Sequence, residues 1–122
     1  MKNYNWAVLG TGVIANETAA AMRKNGITLY AVGNITYEKA VAFAEKYDIP
    51  KVYDDFNDMF TDDNVDIIYI TTPHNTHIDF MKKAIENGKH ILVEKSITLN
   101  SKELDESISL AEKNNVILAE AM

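Results

Sequence analysis

Short, almost continuous apolar runs alternate along this chain with longer stretches in which apolar residues recur every three or four positions. Residues 5–10 are apolar nearly throughout, the pattern of a strand buried on both faces. Residues 14–25 have helical composition, with Gly26 placed as a C-terminal stop. Residues 28–33 predict a second strand, and Thr36 stands where it can cap a helix over 37–47 whose Ala40, Val41, Ala44 and Tyr47 share one face. Asp48, Ile49 and Pro50 break that helix, and residues 51–53 form a brief third strand. Asp54 or Asp55 can cap a short helix through Phe56, Met59 and Phe60. Residues 65–72 predict a strong fourth strand, bounded by Pro73. Asn75 or Thr76 opens a helix that turns Ile78, Met81, Ala84 and Ile85 inward and ends at Asn87 and Gly88. Residues 90–94 are a fifth strand. Asn100 or Ser101 begins a helix reaching Asn114, with Leu104, Ile108 and Ala111 at helical spacing and Asn100 with Glu103 arranged as a capping box. Residues 116–122 read as a sixth strand.

This alternation predicts an α/β fold: a doubly wound parallel sheet of about six strands, helices on both faces, right-handed crossovers. No internal repeat, low-complexity segment or linker interrupts it, so residues 1–122 are expected to form one domain. The apolar run at 116–122 carries no polar tail, whereas domains usually end in something polar or frayed. The expectation is a fragment of a longer, two-domain protein.

At 122 residues, 47% hydrophobic and 25% charged, the chain can bury a core of its own. It contains no cysteine, which excludes disulfides and thiolate metal sites. Twelve Lys and Arg against 18 Asp and Glu give a net charge of −6, the wrong balance for a nucleic-acid binder that must track phosphates. No apolar stretch is long enough to span a bilayer, and no secretory h-region follows the N-terminus. No membrane partner is expected, and the expected compartment is the cytoplasm.

The candidate chemistry begins at the first turn. Gly10, Thr11, Gly12, Val13, Ile14 and Ala15 fit G-x-G-x-x-G/A between a predicted strand and a predicted helix, the context in which that pattern binds a dinucleotide in a Rossmann fold. The first glycine permits the tight turn, the second lets backbone approach a pyrophosphate, and the helix N-terminus offers N–H donors and a positive dipole end. The ribose position at the end of the second strand is less conventional. Gly33, Asn34, Ile35 and Thr36 stand there, with no acidic residue before Glu38 and no arginine. Asn34 can bond a ribose hydroxyl or serve as a plain turn residue, and NAD and NADP both stay open.

Two further blocks fall at the carboxyl edge of the predicted sheet, where open α/β sheets bind ligands. One is Thr71, Thr72, Pro73, His74, Asn75, Thr76 and His77. Its two histidines have no evident third ligand, so no metal is expected. The other is Glu94, Lys95 and Ser96. Lys95 can hold or move a hydroxyl proton if desolvated, or simply be a solvated lysine beside Glu94.

Together, the 10–15 turn, the 72–77 block and the run Gly88, Lys89, His90, Ile91, Leu92, Val93, Glu94, Lys95 resemble the N-terminal domain of the glucose–fructose oxidoreductase/inositol dehydrogenase (Gfo/Idh/MocA) family. The likeness extends over essentially the whole chain and leans toward the dihydrodiol dehydrogenase-like branch. It implies that Gly10, Thr11, Gly12, Val13 and Ile14 bind the pyrophosphate of NAD or NADP. It implies that Thr72, Pro73, Asn75 and His77 line the nicotinamide side, that Glu94 touches the cofactor, and that Lys95 is the catalytic or substrate-positioning lysine. Ser96 departs from the proline of the family's Glu-Lys-Pro motif, and proline would stiffen the backbone there.

The implied activity is hydride transfer between nicotinamide and a carbinol carbon of a sugar, polyol or diol, in a homo-oligomer whose second α/β domain is absent from this chain. Alone, the chain is then expected to bind nucleotide without turnover. The alternative is a dinucleotide-binding module or sensor without catalysis. A Rossmann-like methyltransferase fits less well with Glu94, Lys95 and His77.

Overall fold

A computed structural model describes residues 4–71, 77–93 and 101–120 of the chain. Its elements run β1 (Trp6–Leu9), α1 (Val13–Lys24), β2 (Leu29–Gly33), α2 (Tyr37–Tyr47), β3 (Lys51–Val52), α3 (Asp58–Thr61), β4 (Ile67–Ile70), α4 (His77–Glu86), β5 (His90–Val93), α5 (Ser101–Lys113) and β6 (Leu118–Glu120). All strand pairs are parallel, in the order β3-β2-β1-β4-β5-β6. The order reverses between β1 and β4, which are neighbours with Leu9 opposite Ile70. A doubly wound sheet of this order opens a crevice beyond the carboxyl ends of those two strands.

Alternation along the strands builds two cores. Val8 and Val32 face α1 and α2, where they meet Ala15, Ala19, Ala40, Phe43 and Ala44. Ala7, Leu9, Ala31, Ile68, Ile70 and Ile91 face the other way, onto Met59, Phe60, Met81, Ala84, Ile85 and Ala111. A residue on either face of β1 is buried, so the strand reads as a continuous apolar run.

Several local expectations are corrected. α1 begins at Val13, one residue earlier than its composition suggests, with Gly12 at the N-cap position. Thr36 occupies the N-cap position of α2, but its hydroxyl makes no capping bond. Phe43, rather than Val41 or Tyr47, joins Ala40 and Ala44 in the core. Neither Asp54 nor Asp55 caps α3, whose N-cap position is Asn57. Asp55 acts one step earlier, accepting from both the backbone and the side-chain nitrogen of Asn57 at 2.9 Å. Among the described side chains of α5, Ser107 and Ala111 are buried while Ile108 is 41% exposed, and the side chain of Leu104 lies outside the described residues. β6 starts at Leu118, not Val116. The Val116 N–H closes the turn after α5 on the Ala111 carbonyl at 3.0 Å, and the Ile117 N–H donates to His90 Nδ1 at 3.0 Å. Of the proposed capping pair, Asn100 and the side chain of Glu103 lie outside the described residues.

One polar cluster stands among the apolar contacts of the second core. The Tyr53 hydroxyl donates to Asp62 Oδ2 at 2.7 Å. Burial pushes the Tyr53 phenol well above its ordinary range, and its bond to Asp62 and that carboxylate's charge push the same way. Burial acts to raise the Asp62 carboxyl, but the bonds from Tyr53 and the Asn64 N–H, with the charges of Lys51 and Lys89, outweigh it and hold the group below its usual range.

A raised phenol contributes stability that is complete below its unfolded value of about 10 and is lost as pH rises beyond it. Tyr53→Phe should therefore lose less stability than the parent between about pH 9 and 11. Urea melts of both proteins across that range test this, and parallel pH profiles would refute it.

Candidate functional site

The geometry converges on the turn between β1 and α1. Gly10 has φ of 109°, a conformation that side chains rarely adopt, and its N–H donates to the Gly33 carbonyl at 2.9 Å. The turn is thereby tied to the end of β2. Gly33 is itself closely packed: an added Cβ would meet Met59 Cε at 3.0 Å and Phe56 Cβ at 3.2 Å, so these neighbours would have to shift by a few tenths of an ångström. Gly12 differs: a Cβ built there would meet nothing within 4 Å. Val13, the first residue of α1, is 73% exposed, and the first turn of the helix carries no acidic residue. Backbone N–H groups at an open helix start with no acidic residue in its first turn fit an anionic ligand, here a pyrophosphate.

The other side of the crevice starts at Thr71. Its N–H and its hydroxyl both donate to the Leu9 carbonyl, each at 2.9 Å, so the chain leaves β4 directly beside the glycine turn. β5 pairs with β4 in parallel register, Ile70 opposite Val93, and ends at the same edge. β4 and β5 thus both end at the edge that carries Gly10.

Of the residues singled out in the sequence, Gly10, Thr11, Gly12 and Val13 come together at this turn, and Ile14 continues α1 with its side chain outside the described residues. Asn34 follows β2 directly, beside the residue that anchors Gly10. Its amide donates to the Thr36 carbonyl at 3.3 Å, the contact of a turn residue. His77 opens α4, its side chain outside the described residues. Thr72, Pro73, His74, Asn75, Glu94, Lys95 and Ser96 also lie outside them. Among the described residues, no group of three or more His, Cys, Asp or Glu could hold a metal ion, and no helix is long and apolar enough to cross a membrane.

Sequence reasoning passed over Asn16, Lys46 and Tyr47 as site residues. Asn16 Nδ2 donates to the Thr11 and Gly12 carbonyls at 3.1 and 2.9 Å. Its Oδ1 accepts from the Tyr47 hydroxyl at 2.8 Å and from Lys46 Nζ at 3.2 Å. An asparagine in the first turns of a helix gives no sequence signal for this, because its partners on α2 are 30 and 31 positions away.

Residues 4–122 match the Gfo/Idh/MocA family, described as an oxidoreductase family with an NAD-binding Rossmann fold. The chain is 34% identical over 119 residues to trans-1,2-dihydrobenzene-1,2-diol dehydrogenase of Xenopus laevis, spanning 95% of this chain and 36% of that protein. It is 35% identical over 120 residues to the NADP(+)-dependent scyllo-inositol 2-dehydrogenase of Bacillus subtilis, spanning 96% and 36%. Among solved structures, an NAD-binding oxidoreductase from Klebsiella pneumoniae superposes with a TM-score of 0.91 at 26% identity, over 98% of this chain and 34% of that one.

Proposed function

Given that the chain belongs to the Gfo/Idh/MocA oxidoreductase family, we propose that it binds NAD or NADP across the glycine turn and serves hydride transfer at a carbinol carbon of a sugar, polyol or diol. The observation that carries this reading is the open backbone at Gly12, at the start of α1 and beside the β1–β4 switch point. Names of the relatives supply the substrate class: one acts on a dihydrodiol, another on an inositol.

When bound, the nicotinamide supplies the hydride acceptor or donor. The chain's part is to hold the cofactor. Gly10, Thr11, Gly12, Val13 and Ile14 present backbone to the pyrophosphate, and Asn34 stands at the ribose position without a carboxylate to oppose a 2′-phosphate. In this reading Thr72, Pro73, Asn75 and His77 flank the nicotinamide and Glu94 touches the cofactor. Lys95 holds or moves the substrate hydroxyl proton. The chain spans about a third of the length of these relatives, and the residues that choose the substrate are assigned to a second domain, with residues 1–122 as the nucleotide-binding one.

Calorimetric titration with NAD and with NADP tests the reading. One site per chain with a micromolar-range Kd is expected, and with no carboxylate between β2 and α2 the two cofactors should differ in affinity by less than about tenfold. No heat and no thermal shift with either cofactor would refute it.

A further inference from the structure

The glycine turn is clasped from behind by Asn16, which Tyr47 and Lys46 hold in turn. A trans peptide places its carbonyl oxygen and its N–H on opposite sides. The Thr11 and Gly12 carbonyls both accept from Asn16 Nδ2. The N–H groups that share those peptide planes, on Gly12 and Val13, are therefore turned the other way, toward the open side of the turn.

The amide that holds them cannot rotate freely. An asparagine side chain has two N–H donors and two acceptor lone pairs. Here both donors go to the turn, and the acceptor oxygen takes the Tyr47 hydroxyl and the Lys46 ammonium. A flipped amide would set its NH₂ against the Lys46 ammonium, so a single orientation is selected. The Tyr47 phenolic proton is shared with the Asn16 backbone carbonyl at 3.1 Å, which fixes the ring as well. Phe43 packs on the Tyr47 ring with centroids 4.9 Å apart, linking the clasp to the core between α1 and α2.

We propose that Asn16, held by Tyr47 and Lys46 of α2, is the positioning residue that presents the Gly12 and Val13 N–H groups to the pyrophosphate. The inference rests on the dinucleotide reading above. It adds that affinity for the pyrophosphate is set partly by α2, which does not itself form the glycine turn. Asn16 touches the turn and not the ligand. Tyr47 acts only through Asn16.

The test uses the full chain and two probes: ADP-ribose, which carries the pyrophosphate, and AMP, which does not. Asn16→Ala should weaken ADP-ribose binding about tenfold, the scale of one well-placed hydrogen bond to a charged group. AMP binding should change by less than about twofold, since its single phosphate does not need the aligned pair. Tyr47→Phe removes one hydroxyl, keeps Asn16, and should weaken ADP-ribose in the same direction. The double variant should be no worse than Asn16→Ala alone, as for groups acting through one another.

Thermal melts run alongside, and Tyr47→Phe serves if Asn16→Ala does not fold. Unchanged ADP-ribose affinity in either variant, or equal weakening of both probes, overturns the proposal. A parent chain that binds neither probe would instead remove the dinucleotide reading.

Discussion

Replacing Gly12 with valine is expected to abolish dinucleotide binding while leaving the fold standing. The two halves of that expectation rest on different observations. Gly12 has φ of −79° and ψ of −164°, an extended conformation open to valine, and an added Cβ would meet no protein atom within 4 Å. Among the described residues, no atom stands where the added Cβ would go. Valine caps a helix less well than glycine, which should cost at most about 1 kcal/mol. The same open space is where backbone and pyrophosphate must approach each other, and a branched side chain fills it.

Affinity should fall at least about 100-fold, or about 2.8 kcal/mol at 1.4 kcal/mol per tenfold. Gly12→Ala, with one methyl, should lie between the two. Calorimetry with NAD and NADP reads the loss, and circular dichroism reads the fold. Equal affinity in parent and Gly12→Val would place the cofactor elsewhere.

The largest expected loss of stability lies at the opposite edge of the sheet, at Lys89. This lysine is 6% exposed, and its ammonium donates to the carbonyls of Asp62 and Val65 at 2.6 and 2.8 Å. It thereby joins the loop entering β4 to the residue entering β5. The Asp62 carboxylate, held in its charged form partly by Lys89, supplies a compensating charge nearby. Lys89→Met keeps much of the volume and removes the donors, taking the buried bond to the Val65 carbonyl away and leaving the Asp62 carbonyl with the Val65 N–H.

Hydrogen bonds from a charged donor are worth about 1.5–3 kcal/mol each, and the relief of burying an ammonium returns part of that. A net loss of about 2–4 kcal/mol is expected, on the order of 10 °C in Tm for a chain of this size. Dinucleotide affinity, measured below the melting range, should be unchanged, because Lys89 sits at the amino edge and the glycine turn at the carboxyl edge. A Tm within about 2 °C of the parent would show that relief from burying the charge offsets the lost bonds.

The order and type of the elements were legible from the chain because continuous apolar runs and 3.6-residue periodicity are strong, local signals. Each buried strand needs apolar residues on both faces, and each covering helix needs one apolar stripe. The glycine turn was legible for the same reason: its partners, a strand before and a helix after, are adjacent in sequence. Element ends were less so. β6 starts two residues later than its apolar run because the Val116 and Ile117 N–H groups are taken by Ala111 and by His90. Ile108 looks like a core residue by spacing, yet it is 41% exposed while its neighbour Ser107 is buried.

The sequence by itself determined the doubly wound alternation, the dinucleotide-type turn at Gly10 and Gly12, and the absence of cysteine chemistry. Tertiary structure alone decided that Lys89 is buried, since its carbonyl partners stand 27 and 24 positions before it. It alone decided that Asn16 answers to Tyr47 and Lys46, and that Gly33 packs closely against Phe56 and Met59. A periodic pattern records which face of an element is dry. It does not record which polar atom meets which across the sheet, because a hydrogen bond between distant residues depends on how strands and helices are stacked, and lysine, asparagine and glycine look alike in sequence whether they are solvated or clasped.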